Sequence, residues 1–90
     1  MPVKIRYKAS VAKDFRKLDR SSALRLISKI EKSLVDQNVQ GKALTGDFAG
    51  LFSLRVGDYR VIYAPTVDGF LVLRIGHRRE IYKRGRPDEP

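Results

Sequence analysis

Cysteine is absent from this 90-residue chain and histidine occurs once, at position 77. No disulfide framework or thiolate metal site can be built, and one imidazole cannot hold zinc unaided. The N-terminal stretch MPVKIRYKAS lacks the apolar run of a secretory signal. No segment approaches the roughly 18 apolar residues of a membrane span. These absences fit a protein of the reducing cytoplasm that spans no membrane, and neither a metal nor a cofactor is expected. Acidic residues are also few: ten Asp and Glu against nineteen Lys and Arg, a net charge of +9. That excess implies an anionic partner. With 42% hydrophobic residues the chain is too apolar for a disordered basic tail. One small folded domain over residues 1–90 is expected, with 84–90 as a basic tail.

The stretch Leu51 to Tyr63, LFSLRVGDYRVIY, is the most informative. Gly57-Asp58 reads as a two-residue hairpin loop between alternating runs. That loop sets Val56 opposite Tyr59, Leu54 opposite Val61 and Phe52 opposite Tyr63, one wholly apolar face. The other face carries Arg55 opposite Arg60 and Ser53 opposite Ile62. A one-residue slip would send the apolar set to the wrong side. Like charges directly across a ladder are destabilising, so something negative is expected between the two arginines.

Before the hairpin, Val3 to Tyr7 alternates apolar and basic residues as a half-buried strand. Ser10 is a candidate cap for a helix with Val11, Phe15 and Leu18 on one stripe. The run Asp19 to Ser22 offers a second cap, for a helix reaching about Val35 with Ala23, Ile27, Ile30 and Leu34 facing the core. Its other face, with Arg25 and Lys29, reads as solvated. Residues 37–50 are irregular, punctuated by Gly41, Gly46 and Gly50, with an extended piece at Lys42 to Leu44.

After the hairpin, a two-residue loop at Asp68-Gly69 would place Arg74 among apolar side chains. A three-residue loop, Val67 to Gly69 with Gly69 left-handed, keeps the core face apolar. It sets Tyr63 beside Leu73, Val61 beside Ile75 and Arg60 beside Gly76. Arg55, Arg60, Arg74 and Arg78 then share one surface, with open space at Gly76 and with Ile62, Phe70 and Val72 as apolar patches among them. The expected fold is α+β, β-α-α-β-β-β, a helical hairpin packed on one face of an antiparallel sheet whose other face is basic.

The segments RVGDYRVIY and RIGHRREIY, in that order in a short basic chain, resemble the RelE branch of the RelE/ParE toxin superfamily. The likeness spans nearly the whole chain. It implies the toxin of a type II toxin–antitoxin pair, an endoribonuclease that cuts mRNA in the ribosomal A site by metal-independent attack of a ribose 2′-OH. Carried over by position, Arg60, Arg78 and Tyr82 match catalytic residues of the family, and Arg55 matches a second basic position on its strand. Ser53 stands where the best-known member has a lysine, so the family's charge is missing there and the general base is open. His77, Tyr82 or no dedicated base are the candidates. Ser53, Arg74, Lys42 and Lys83 are candidate RNA contacts. The implied partners are a cognate antitoxin, the ribosome and mRNA, with the free toxin a monomer and the antitoxin complex heteromeric. Two other readings share this fold: a ParE-like poison of DNA gyrase without nuclease chemistry, and a weakly active basic module kept for antitoxin binding.

Overall fold

The computed structural model describes residues 3–36, 41–77 and 81. Its elements are β1 (Lys4–Tyr7), α1 (Ala9–Arg16), α2 (Arg20–Val35), β2 (Lys42–Ala43), a 3-10 turn (Gly46–Phe48), β3 (Phe52–Val56), β4 (Tyr59–Thr66) and β5 (Gly69–His77). The sheet order is β1-β5-β4-β3-β2. The expected α+β architecture stands. Pairing is antiparallel from β2 through β5, whereas β1 joins the edge parallel to β5. A parallel neighbour requires a long crossover. Here the chain between β1 and β5 includes both helices, which cover one face.

The first helix starts earlier than Ser10 suggests. Lys8 N–H donates to the Val72 carbonyl at 2.9 Å, extending the β1 ladder by one bond, and the Lys8 carbonyl accepts from Val11 N–H at 2.9 Å. Leaving the sheet and entering the helix thus happen at one residue, with Lys8 at the N-cap and Ser10 inside the helix. The second helix is capped as its sequence suggests, the Asp19 carboxylate accepting from Ser22 N–H at 3.2 Å. Hydrogen bonding from the Ser22 side chain, and then from its backbone N–H, holds the Asp19 carboxyl below the ordinary carboxylate range.

The main core lies between helices and sheet. Val11, Leu26, Ile30 and Leu34 pack on Leu54, Val56, Val61, Tyr63, Val72 and Ile75. Tyr7 closes one side, its ring edge-on to Phe15 and its hydroxyl donating to Glu31 Oε1 at 3.0 Å. Burial, the Glu31 bond and its charge together push the Tyr7 phenol well above its usual pKa.

The β3–β4 register is the expected one at every position, including Arg55 opposite Arg60. The β4–β5 register is as expected only at its far end, where Arg60 meets Gly76 and Val61 meets Ile75. Near the loop Thr66 pairs with Gly69, so the loop is Val67-Asp68, and an irregularity beside Ile62/Tyr63 takes up the extra residue. Gly69 is not left-handed. It is needed for a different reason, because a Cβ there would collide with the backbone of Lys4 in β1. The bulge shifts parity along half of β5, so Val72 and Phe70 face the helices, where Val72 is fully buried. These two are not patches on the basic face.

Asp68 ties this loop to β1. Its carboxylate accepts from both terminal nitrogens of Arg6, at 3.0 and 3.1 Å, and from the Thr66 hydroxyl at 3.2 Å. The Arg6 bond is the main reason that the Asp68 carboxyl lies below its usual range. A folded pKa below the unfolded one contributes stability above the unfolded value, lost as pH falls through the folded value. The pair is exposed, so its contribution is modest. Between about pH 5 and pH 2, the melting temperature of Asp68→Asn is expected to fall less than that of the parent. Parallel curves in thermal melts would refute this.

Candidate nucleic-acid interface

The face away from the helices is not an open basic plane. Leu51, Ile62, Leu73 and Ile81 form a second buried cluster, extended by Leu44, Phe48, Ala64 and Leu71. The irregular segment between β2 and β3 supplies part of it. Leu44 N–H donates to the Leu51 carbonyl at 2.9 Å, closing a loop that brings Leu44, Phe48 and Leu51 over the sheet. Ile62, expected as an exposed patch, is fully buried beneath this cover.

Ile81 contributes the other part. Its side chain fills the space above Gly76, where an added Cβ would strike Ile81 Cγ2. The Arg74 guanidinium donates to the Ile81 carbonyl. The gap expected beside Arg60 is therefore occupied by the chain itself. Arg74 is half-buried, with its guanidinium on that backbone carbonyl. Ser53, the other candidate on this face, is 3% exposed and pairs with Ile62 on one side and Lys42 on the other. A serine suits this position because its small hydroxyl is more easily accommodated than a lysine ammonium would be.

What remains at the surface is the arginine pair. Arg55 is exposed and Arg60 half-buried, directly opposed on β3 and β4. The Arg55 Nε–H donates to the Gly57 carbonyl at 3.4 Å, which turns that side chain toward the β3–β4 loop. Gly57 holds φ +59° in this loop, a conformation that side-chain-bearing residues rarely adopt. Lys42, across from Ser53 at the sheet edge, is exposed. Two unlike features thus flank one another, a dry apolar floor and, at its end, two opposed cations. Guanidinium forks match phosphate oxygens, so the pair has the chemistry to grip a phosphodiester.

His77 lies elsewhere. It pairs with Tyr59, whose side chain packs on the helix-side core, and their ring centroids are 4.4 Å apart. Strand alternation puts this pair on the opposite face from Arg60. Tyr59 and Tyr63 pack as expected, with Tyr63 stacked on Phe52 at 5.7 Å. Arg78, Tyr82 and Lys83 lie outside the described residues. Among the described residues, no three His, Asp or Glu side chains are grouped to hold a metal ion, and no helix is long and apolar enough to cross a membrane.

The signal that sequence reasoning missed was Ile81. The motif around it draws the eye to charges and to a tyrosine, while the apolar residue between Glu80 and Tyr82 closes the second cluster.

Comparison with known proteins agrees with this architecture. Residues 5–82 match the family described as the ParE toxin of the type II toxin–antitoxin system parDE. Over 87 residues the chain is 30% identical to toxin RelG of Mycobacterium tuberculosis, covering 93% of this chain and all of that protein. Among solved structures, the RelBE2 toxin–antitoxin complex of M. tuberculosis superposes with a TM-score of 0.76 at 26% identity, covering 89% of this chain and 95% of that one. A free-state mutant of the Escherichia coli RelE toxin shares the fold at 17% identity and TM-score 0.67, covering 92% and 90%. A chain that carries the family's pattern from its first strand to its last motif, with relatives matched over nearly their full length, belongs to the RelE/ParE superfamily and is a toxin of a type II toxin–antitoxin system.

Proposed function

We propose that this toxin is a ribosome-dependent mRNA endoribonuclease that cleaves within the A site and so halts translation. The observation that carries the reading is the direct opposition of Arg55 and Arg60 on the surface beside Gly76. In the reaction the ribose 2′-oxygen attacks the adjacent phosphorus as its hydroxyl proton is released to an acceptor, water or a protein group. The bond to the 5′-oxygen breaks, that oxygen takes a proton, and a 2′,3′-cyclic phosphate and a 5′-OH result. The arginines hold the phosphate in line and neutralise the charge that builds on its oxygens. Arg78 and Tyr82 join them by their place in the motif, the arginine on the phosphate and the tyrosine at the base or the 2′-OH. Arginine is a poor base because its pKa exceeds 12. His77 faces the helix side, so positioning and charge stabilisation carry the rate, with Tyr82 as the remaining protein candidate for proton transfer.

A cognate antitoxin is the natural restraint. The charge of +9 calls for an acidic segment, and the similar RelBE2 structure is itself a toxin–antitoxin complex. Since Ile62 is covered and Phe70 and Val72 turn to the helices, that segment meets charge first. The second reading, a gyrase poison without nuclease chemistry, draws on the matching family's description as ParE.

Mapping of RNA 5′ ends on translating ribosomes separates the two. New ends inside A-site codons are expected with the parent protein and not with the triple variant Arg60→Ala, Arg78→Ala, Tyr82→Ala. Growth inhibition that survives the triple variant, with no new ends from the parent, would favour gyrase.

A further inference from the structure

Between the first half of α2 and the β3–β4 loop lies a cleft of about 310 Å³, on the helix side of the sheet. Its polar lining is Ser22, Arg25 and Lys29 from the helix, and Asp58 and Tyr59 from the hairpin. We propose that this cleft is a second nucleotide subsite, which takes a base of single-stranded RNA beyond the phosphate held by Arg55 and Arg60. The inference rests on the ribonuclease reading.

Three observations converge there. The first is an aromatic shelf: Tyr59 lines the cleft, and His77, exposed, packs against it with ring planes inclined at 40°. Tyr59 is half-buried and His77, beside the cleft and outside its lining, is the exposed ring. An exposed ring backed by a second is what an unstacked base can use, and stacking tolerates any sequence. The second is charge. Arg25 and Lys29 are exposed one helical turn apart on the face turned to the cleft, at the i, i+4 spacing that puts two side chains together. Two like charges so placed repel; Asp19, whose carboxyl feels the Arg25 charge, offsets part of this, and a phosphate reaching both cations would relieve the rest. Asp58 is the one carboxylate of the lining. It makes the cleft less suited to a bare phosphate and supplies an acceptor for a base amino group.

The third is continuity. Arg55 turns onto the Gly57 carbonyl, and Gly57 and Asp58 also line the cleft. Tyr59 and Arg60 are consecutive in β4 and point to opposite faces. An RNA strand rounding the tip of this hairpin would leave the arginine pair and enter the cleft without crossing the buried cluster. An acidic peptide would also meet the two cations, but it would have no use for the aromatic shelf.

The test is fluorescence anisotropy with a 12-nucleotide single-stranded RNA carrying 2′-O-methyl groups, which removes the attacking hydroxyl. The variants are Arg25→Gln/Lys29→Gln and, as a matched control, Lys13→Gln/Lys32→Gln, with thermal melts confirming that each folds. The cleft pair is expected to weaken binding about tenfold and to reduce the salt slope by about 0.7, for the one flanking phosphate that is no longer neutralised. The control pair is expected to change affinity less than about twofold. His77→Ala, at an exposed position, is expected to weaken binding several-fold, as loss of part of a stacking shelf does. An oligomer with abasic sites should erase the His77 effect and keep that of the cations.

Equal losses for the cleft pair and the control pair would overturn the subsite in favour of diffuse attraction. So would unchanged RNA binding in the cleft variants, whether or not they lose affinity for an oligoglutamate peptide, and so would absence of binding by the parent. Cleavage on ribosomes is scored separately. If Arg60→Ala abolishes it while the cleft variants bind RNA normally, the subsite fails and the nuclease stands. If the parent makes no cuts, the nuclease reading itself fails.

Discussion

Gly69→Ala is expected to destabilise the protein by about 3 kcal/mol, the upper range for forcing atoms into a packed interior. The added Cβ would be driven into the carbonyl oxygen, carbonyl carbon and nitrogen of Lys4. Those are backbone atoms of β1, fixed by pairing to Gly69 itself and by the bond from Lys4 N–H to the Asp68 carbonyl at 2.9 Å. No rotamer change relieves such a clash; the strand must move. Against a typical domain stability of about 5–15 kcal/mol the loss is large. Gly76→Ala offers the contrast. There the obstacle is Ile81 Cγ2, a side-chain atom, and a smaller loss of about 2 kcal/mol is expected, because a buried β-branched side chain must shift but no strand need move. Denaturant unfolding of both variants measures the difference. Hydrogen exchange should show that Gly69→Ala releases the β1 amides before the rest of the sheet. A Gly69→Ala loss no larger than that of Gly76→Ala would refute the account.

Gly69 also marks where the sequence stops being legible. The β3–β4 hairpin could be read residue by residue because Gly57-Asp58 supplies a loop and the flanking residues alternate without interruption. The next hairpin has equally good alternation at its far end, yet a single extra residue near Leu73 shifts the half beside the loop. A bulge of this kind leaves no compositional mark. Its cause is distant in sequence: β1 must lie against Gly69, and Arg6 and Lys4 must reach Asp68. Parallel pairing between chain segments far apart in sequence has no local signature. The site shows the same division. The opposition of Arg55 and Arg60 follows from local pairing and was legible. The burial of Ile62, and the use of Arg74 as a latch on Ile81, depend on segments folding over the sheet from outside it. Read as a plane, the face looked open and basic. In three dimensions it is a partly dry surface with its opposed arginines at one end.

Arg60→Ala is expected to lower A-site cleavage by about 10²- to 10³-fold, the usual loss when one preorganised stabiliser of developing charge is removed. Arg55→Ala should cost less, about tenfold, because Arg55 is the more exposed and leans on the Gly57 carbonyl. The same substitutions should act in the opposite direction on stability. Like charges directly across a ladder oppose folding by roughly 0.2–1 kcal/mol, and either replacement relieves that repulsion. Activity should therefore fall while the denaturation midpoint stays level or rises. That opposition separates a functional pair from a structural one. If Arg60 served the fold, its loss would lower both quantities together. Arg60→Lys sharpens the comparison. It keeps the charge and hence the repulsion, but a single ammonium cannot grip two phosphate oxygens as a guanidinium fork does. It should hold the parent's stability and recover only part of the cleavage rate. Single-turnover cleavage on ribosomes, set beside urea unfolding of the same preparations, gives both readings. An Arg60→Ala protein that is less stable and still cuts would mean that the opposed arginines are a solvated accident of the hairpin, and the phosphate would have to be held elsewhere.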